Sequence, residues 1–481
     1  LSNIITRIAN AFRAGFRNFD AAGASGRWPD AASLWAQNSQ SLQQRGVITR
    51  RSNYLAHNSP TGASFVESWV TNLVGDGPTI KSSHPDLDVA KQLEKSFAEW
   101  AQHADIEGVD SFTGMLQTAV RSIVASGEAV FHFPVDGYGN LKLRLLASEQ
   151  LDSTRNVPSL GMTGDLPRII SGVETDAQGR RTGYWLLHDA PDQIWAQILP
   201  SERVDAVDVA HIFVRRFPGQ IRGISWLTPI ATRLLELDWL EDAALMKARV
   251  SALFAAFVTD PDGSTGVFNN TTAGAVGSDT QFNPASVVFE PGTLQFLPPN
   301  CDIKFPPVAD MSTVTELMRH MLRSIAAGGG MSYESLTGDL SQTNFSSARL
   351  GQSLQQRRIK GLQSTLLTSQ LLLPVWRRWV LMEILTGRIS APDFEQRPLD
   401  YLNMKALWPG WAAIDPLKQS KADALDLASR TKSRDQIIAE NSGRDITDVD
   451  SEIENDPLFV SDPTAAAALL AQPEEVQNAA G

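Results

Sequence analysis

The chain of 481 residues has one cysteine, Cys301. A lone thiol cannot close an intrachain disulfide or build a cysteine-based metal centre, and it fits a reducing compartment. Long apolar runs are missing as well. The longest, at 251–258 and 371–376, fall far short of the roughly 20 residues a membrane helix needs. Residues 1–23 do not show the charged-then-apolar layout of a secretion signal. Histidine is scarce: the seven residues His57, His84, His103, His132, His188, His211 and His320 include no pair at metal-ligand spacing and no HExxH motif. Neither a G-x-S-x-G elbow nor a G-x-x-x-x-G-K-[ST] loop occurs. No metal, cofactor or catalytic constellation is expected.

Charge of one sign is missing locally. Between Leu340 and Met382 there is no acid, against six bases: Arg349, Arg357, Arg358, Lys360, Arg377 and Arg378. Residues 439–481 carry ten acids and the single base Arg444, while residues 1–60 carry seven arginines against Asp20 and Asp30. The net charge is −12, which argues against a simple nucleic-acid coat, since neutralising phosphates takes a basic face. The polarity along the chain implies different surfaces for different partners. The basic stretch has two readings that stay open: contact with DNA phosphate, or ion pairs between subunits.

What is present is an ordinary globular balance, 42% hydrophobic and 20% charged, with length for two to four domains of about 100–200 residues. Twelve tryptophans suggest large packing or subunit interfaces, and Trp376 and Trp379 are expected to pack between subunits. Residues 54–80 read as a helix capped by Ser64, with Glu67 completing Ser-x-x-Glu, and ending at Gly75–Pro78. Residues 86–104 and 111–127 show the 3–4 spacing of amphipathic helices. Hairpins follow at 128–146, with Asp136-Gly137 at the tip, and at 167–189, turning at Asp176–Gly179, then a strand at 209–217. Residues 50–220 thus read as α+β. From Pro229 a helix of about 29 residues, roughly 40 Å long, leads to the irregular segment 260–308, with a strand expected at 286–290. Such a segment is too long for a structureless loop in a compact domain. A second helix at 310–327 returns, so a small subdomain stands on a two-helix stalk. A long basic helix interrupted at Pro374 comes next. Short helices starting at Asp415-Pro416 and Ser433 and a disordered tail from Pro457 complete the chain.

Residues 328–352, "GGGMSYESLTGDLSQTNFSSARLGQ", have the composition of an active site. Yet Gly328–Gly330 lack the strand and lysine of a phosphate loop, and Ser332, Tyr333 and Glu334 are too close in sequence to act as nucleophile and base unaided. Ser332 reads as a helix cap, and Ser346 or Ser347 as the cap of the next helix. A serine hydrolase using Ser332 or Ser347 is one alternative, without a base to support it. A non-catalytic structural protein, a scaffold or a tail component, is a second.

That stretch, with "RSNYLAHNSPTGASFVESWVTNLVGDGP", "PGQIRGISWLTPIATRLLELDWLEDAALMKARVSALFAAFV", "EPGTLQFLPPNCDIKFPP" and "WPGWAAIDPLKQSKADA", resembles the lambda-type portal proteins of tailed bacteriophages across about residues 45–455. Two departures stand out: the triple glycine replaces a Gly–Leu–Gly-like pattern, and the match is poor before residue 45.

The resemblance implies a helix-rich α+β portal fold with wing, two-helix stem, clip and helical crown, assembled as a ring, usually a dodecamer. It divides the chain into an N-terminal arm (1–50), wing (51–228), first stem helix (229–259), clip (260–308), second stem helix (309–330), tunnel loop region (331–348), wing and tunnel helix (349–404) and crown with tail (405–481). It implies no catalysis. It implies a channel at one capsid vertex for packaging and ejecting double-stranded DNA, made in the host cytoplasm and carried in the virion. Its partners would be the terminase large subunit, then head-completion or adaptor proteins, with the major capsid protein and scaffold around it, and no membrane. The expected DNA-facing residues are Gly338, Ser341, Gln342, Thr343 and Asn344. DNA or inter-subunit contacts fall to Arg349, Arg357, Arg358 and Lys360, and terminase docking to Phe289, Glu290, Phe296, Asp302 and Lys304. About twelve copies would carry a charge on the order of −140, consistent with a bore that does not grip DNA.

Overall fold

Apolar spacing, capping residues and turn glycines place the elements in chain order. The computed structural model describes residues 37–157, 167–191, 194, 199–253, 257–259, 302–304, 312–341, 345–411 and 415–455. It opens with helices α1 (Gln37–Asn58) and α2 (Pro60–Leu73), strand β1 (Thr79–Ser82), and helices α3 (Leu87–Ala101) and α4 (Phe112–Ser126). Seven strands follow: β2 (Glu128–His132), β3 (Arg144–Leu146), β4 (Arg168–Ile170), β5 (Val173–Thr175), β6 (Arg181–Leu186), β7 (Glu202–Asp205) and β8 (Val209–Phe213). Then come α5 (Ala231–Leu253), β9 (Phe257–Thr259), β10 (Asp302–Lys304), α6 (Ser312–Gly329), α7 (Tyr333–Thr337) and α8 (Phe345–Leu362). A π-helical segment (Gln363–Leu372) runs into α9 (Leu373–Leu385). The described residues end with α10 (Pro398–Leu402), β11 (Met404–Leu407), α11 (Pro416–Ala428), α12 (Arg434–Ser442) and α13 (Ile446–Asn455).

The chain divides into two compact units, one of residues 1–53, 70–226 and 360–481, the other of 54–69 and 227–359. The first is mixed helix and sheet. Its three-stranded sheet runs β3-β2-β8 and its four-stranded meander β4-β5-β6-β7, all antiparallel. Short turns make this possible. Asp136 accepts hydrogen bonds from the Tyr138 and Asn140 amides at the β2–β3 tip, and Asp176 does the same for Gln178 and Arg180 between β5 and β6. A turn at Ser171 (φ 51°) and Gly172 (φ 79°) adds β4, so the expected second hairpin is a three-stranded run. Val130, Leu151, Val173 and Tyr184 are among the side chains that fill the apolar centre. A separate pair, β1 with β11, joins residues more than 300 positions apart, with Thr79 opposite Leu407. Lys81 on β1 bridges Glu94 of α3 and Asp448 of α13 at 2.9 and 2.8 Å.

Trp376 and Trp379 do not serve as surface anchors. Both are fully buried within the chain, in a cluster with Phe97 and Trp100: ring centroids are 5.3 Å from Phe97 to Trp376 and 5.1 Å from Phe97 to Trp379. The Trp376 indole donates to the Tyr401 carbonyl at 3.0 Å. The 3–4 spacing of a helix that also faces α3 and α10 turns these rings inward, which corrects the expectation that they pack between subunits.

The interruption before Pro374 takes a specific form. Proline has no amide donor, and its ring clashes with the carbonyl four residues back in an α-helix. Here the backbone widens instead, and the Leu373 amide reaches back five residues to the Thr368 carbonyl. The Gln370 side chain takes the amide of Phe213 at the end of β8 at 3.1 Å, tying the widened segment to the sheet.

One charged node is sealed inside this unit. Glu128, fully buried, accepts from Arg222 Nη2 and Arg45 Nη2 at 2.6 Å each, from the Gly223 amide at 2.7 Å, and from His211 Nε2 at 3.0 Å. Burial alone would raise the Glu128 carboxyl, but Arg222 and Arg45, with His211, hold it well below the usual carboxylate range. Burial lowers His211 to about 4, with the Glu128 charge working against that shift. Arg181 Nη1 lies 3.3 Å from His211 Nδ1, so the neutral ring keeps its lone pair there and donates Nε2–H to Glu128. The close approach needs glycines: a Cβ on Gly223 would stand 2.1 Å from the Gly127 carbonyl oxygen.

In the second unit α5 packs against α6. Helix α5 has 23 residues, not about 29. The helix is described as far as Leu253, and Phe257–Thr259 form a strand paired with β10, Val258 opposite Ile303. The β-branched and aromatic composition of 257–259 favours the strand. Helix α2 begins earlier than expected. Ser59 precedes Pro60 and its hydroxyl accepts from the Gly62 amide at 3.3 Å, so Ser59, not Ser64, is the cap.

Candidate functional site: the loop between α6 and α8

The three glycines that suggest a phosphate loop each answer a packing or backbone demand. A Cβ on Gly328 would sit 2.8 Å from Ile230 Cγ2, and one on Gly329 2.1 Å from Phe65 Cε2. Gly330 is left-handed, φ 77°. Its amide donates to Ala327 at 3.2 Å and the next amide, of Met331, to Ala326 at 3.0 Å. This paired pattern closes a helix C-terminus and selects glycine. A Cβ on Gly330 would also collide with the Arg358 guanidinium. Arg358 instead donates to the Gly330 carbonyl at 2.8 Å and lies 5.5 Å above the Trp69 ring.

Beyond this stop the chain re-enters a helix. Ser332 caps α7 by accepting from the Ser335 amide at 3.1 Å, as its sequence position predicts. The short α7 is clamped from two sides. On α2, Ser64 and Ser68 donate to the carbonyls of Leu336 and Ser335 at 2.6 and 2.8 Å. On α8, Gln355 Oε1 accepts from the Ser335 hydroxyl at 2.9 Å. Each of these bonds contributes about 0.5–1.5 kcal/mol, and the buried Leu336 side chain adds roughly 1.5–3 kcal/mol.

At Gly338 the support ends. Its φ is 69°, its amide closes α7 on Glu334 at 2.8 Å, and nothing lies within 4 Å of where a Cβ would be. Asp339 forms a small knot: it accepts from the Ser341 amide at 3.0 Å and from the Tyr333 hydroxyl at 3.1 Å. The Ser341 bonds, then Tyr333, lower its carboxyl from the ordinary range. Arg323 on α6 lies 5.6 Å over the Tyr333 ring. Past the knot Leu340 and Ser341 are exposed, Leu340 by 68%. A hydrogen-bonded base therefore leads into the solvent-facing pair Leu340 and Ser341.

Gly338 and Ser341 thus stand together at this tip, while Gln342, Thr343 and Asn344 lie outside the described residues. Helix α8 already runs at Phe345, so Ser346 and Ser347 lie within its first turn and do not cap it. Arg349 is on α8, Arg357 is exposed, and Arg358 supports the loop base. Lys360, on the same helix but in the first unit, is exposed beside a groove of about 410 Å³ with Trp408 and Trp411. Of the docking candidates, Asp302 and Lys304 lie on β10; Phe289, Glu290 and Phe296, like the strand expected at 286–290, are outside the described residues.

At Ser332 the hydroxyl is not placed against a base, and the Ser347 side chain lies outside the described residues. The Ser332 hydroxyl is taken by its capping bond and by Ser335. Among the described residues no group of three His, Cys, Asp or Glu side chains could hold a metal ion, and no helix is long and apolar enough to cross a membrane. Sequence reasoning took Ser64 for a cap, not a clamp on Leu336, and missed Ser68, Gln355 and the Tyr333–Asp339 contact. Ser64 and Gln355 lie far from α7 in sequence, and only the fold brings them there.

Comparison with known proteins gives consistent results. The model of the family described as phage portal protein, lambda family, matches residues 25–363. The chain is 22% identical over 360 residues to portal protein B of Escherichia phage lambda, covering 69% of this chain and 66% of that protein, just under two thirds of its length. It is 24% identical over 409 residues to the portal protein of Escherichia phage N15, covering 77% and 76%. Among solved structures it is similar to a chain from the neck of a native GTA particle computed with C12 symmetry (15% identity, TM-score 0.45, covering 82% and 92%). It is also similar to an HK97-family phage portal protein from Corynebacterium diphtheriae (11% identity, TM-score 0.31, covering 63% and 83%).

Proposed function

The chain belongs to the lambda family of phage portal proteins, and from that premise we propose that it assembles into a closed ring, a dodecamer, forming the channel through which double-stranded DNA enters and leaves a capsid. Residues 51–228 and 349–404 form the wing, 229–259 and 309–330 the stem, 260–308 the clip and 405–481 the crown and tail, with 1–50 as an arm. The ring sits at one vertex within the major capsid protein and scaffold. The terminase large subunit docks first, and head-completion proteins replace it. Residues 260–308, including Phe289, Glu290, Phe296, Asp302 and Lys304, supply the docking surface. The protein itself performs no catalysis; hydrolysis of ATP belongs to the motor.

The observation that carries the local reading is the loop between α6 and α8. Its base is fixed by Arg358, Ser64, Ser68 and Gln355, Leu340 and Ser341 beyond it are exposed, and the uncharged polar composition of residues 341–344 suits contacts that slide along phosphates without binding them tightly. Residues 338–346 are the part that touches passing DNA. Deleting 341–344 tests this: rings should form as in the parent, and packaged DNA should fall or leak. Full packaging with full retention in the deletion would remove the loop from the mechanism.

A further inference from the structure

The helices α11, α12 and α13 have no apolar core of their own. Across the described residues 415–455 no hydrophobic side chain is buried, and the side chain that is buried is the acid Asp423. It accepts from the Gln419 and Asn441 amides at 2.9 and 2.7 Å. In the same unit α4 alone buries Met115, Leu116, Val120 and Ile123. Helices of 9 to 13 residues are marginal in water without an apolar contact. This layer calls for apolar cover from elsewhere.

A groove lies against α12, wholly within the first unit. It encloses about 410 Å³ and is lined by Trp408 and Trp411 after β11, by Lys405 on β11, by Lys360 on α8, and by Asp435 and Glu440 on α12. Its walls are fixed to one another. A Cβ on Gly410 would stand 2.0 Å from the Asn441 carbonyl oxygen, and one on Gly443 2.3 Å from that of Trp408. The turn after β11 and the end of α12 thus meet backbone to backbone. The Trp408 indole donates to Thr368 Oγ1 at 3.3 Å. Both acids are already answered, Asp435 by Lys405 at 3.8 Å and Glu440 by Lys432 at 2.9 Å. Among the described residues no carboxylate pairs with Lys360, which is exposed. A fitting occupant presents apolar side chains to the two indoles and a carboxylate to Lys360.

The chain carries such a segment just beyond α13. Residues 456–463 read "DPLFVSDP", with Leu458, Phe459 and Val460 set between Asp456 and Asp462. Phe459 is the only aromatic residue in the sequence after Trp411. Pro457 and Pro463 disfavour a helix through it, so its sequence favours an extended strip. The segment is also within reach. Helix α13 packs against α12, and Asp450 pairs with Arg434 across them. Asp448 of α13 holds Lys81 at 2.8 Å, and Lys81 stands opposite the groove residue Lys405 in the β1–β11 pair. Phe459 lies four residues past Asn455, about 13 Å of extended chain, against a helix diameter of about 10–12 Å. Residues 1–36 also hold phenylalanines, but they carry Arg7, Arg13, Arg17 and Arg27 against Asp20 and Asp30, the wrong sign for Lys360.

We propose that this groove is the seat of the chain's own residues 456–462. Phe459 packs against Trp408 and Trp411, and a flanking aspartate meets Lys360. The latch supplies the apolar burial that α11, α12 and α13 lack and holds α12 against β11. It does not depend on ring formation.

Disulfide trapping in the full-length protein tests the seat. Cys301→Ser removes the native thiol, and Ala439→Cys places one on the groove wall. Adding Ser461→Cys, which keeps Phe459, should give a bond within one chain on mild oxidation. Ala468→Cys in its place should give at least tenfold less, and Lys360→Glu should lower the Ser461→Cys yield severalfold. In hydrogen exchange, Phe459→Ser should speed the amides of 434–442 about tenfold or more, the loss expected for a buried phenylalanine, and leave α4 unchanged. A yield from Ser461→Cys no higher than from Ala468→Cys would overturn the latch. So would a bond that joins separate chains, seen as a dimer on denaturing gels, or α12 amides unmoved by Phe459→Ser.

Discussion

Gly330 and Gly338 are both left-handed, at φ 77° and 69°, yet they carry different loads. A side chain at Gly338 meets open space, while one at Gly330 meets Arg358. Gly338→Ala should therefore cost only the backbone strain, about 1 kcal/mol. Gly330→Ala should cost that plus the displaced Arg358 bond, about 2–3 kcal/mol in all. Urea unfolding of the two variants separates them, and equal losses would mean that Arg358 does not brace the loop. His211 makes a second residue-scale prediction. Its folded value, about 4, lies below the ordinary 6.5, so the fold prefers the neutral ring. The stability from this preference is fully present above pH 6.5 and is lost as pH falls through 4. Its size is about 3 kcal/mol, from 1.36 kcal/mol per unit. Glu128 loses its contribution in the same direction, at more acid pH. His211→Gln keeps a donor to Glu128 and should flatten the pH dependence between 6.5 and 4 in thermal melts; an unchanged profile would show that His211 does not titrate with unfolding.

At the scale of elements, α7 is five residues long, too short to persist alone, so its clamps decide its stability. Ser64→Ala with Ser68→Ala removes two carbonyl partners. It should lower protection of α7 amides about tenfold or more, at about 1 kcal/mol per bond, while β2 and β8 keep theirs. Unchanged exchange in α7 would mean that α8 alone holds it. Most elements could be anticipated from local signals: the caps at Ser332, Asp415 and Ser433 all stand where the sequence places them. The misplacements have physical causes. Ser64 reads as a cap because Ser-x-x-Glu is a local pattern, but Ser59 before Pro60 is the stronger one, and Ser64 is spent on Leu336. The last turns of the helix expected from Pro229 read as helix because Ala and Leu dominate there, yet strand pairing with residues 302–304 takes 257–259. The Trp376–Trp379 pair reads as an interface because Arg377 and Arg378 adjoin it; Arg378 in fact pairs with Asp208 at 2.5 Å and the indoles turn inward. The clamps on α7 and the Glu128 node were not legible at all. The clamps join residues up to 272 positions apart and the node residues up to 95, and no local pattern encodes such pairings.

For the whole molecule, the composition that first looks catalytic belongs to a helix stop, a clamped short helix and an exposed turn. Glycines stop one helix, serines cap and clamp the next, and beyond Gly338 the described residues Leu340 and Ser341 face solvent. A ring of copies needs two different complementary faces on each subunit. The acid-free stretch 340–382 and the acidic residues 439–481 are suited to such roles in sequence, although Arg358 and Arg378 are partly spent within the chain. The central claim is closure into a channel, and imaging tests it most directly. Electron micrographs of the purified full-length protein should show closed rings, about twelve-fold, with an open centre. A homogeneous monomer at high protein concentration, with no rings, would contradict the account.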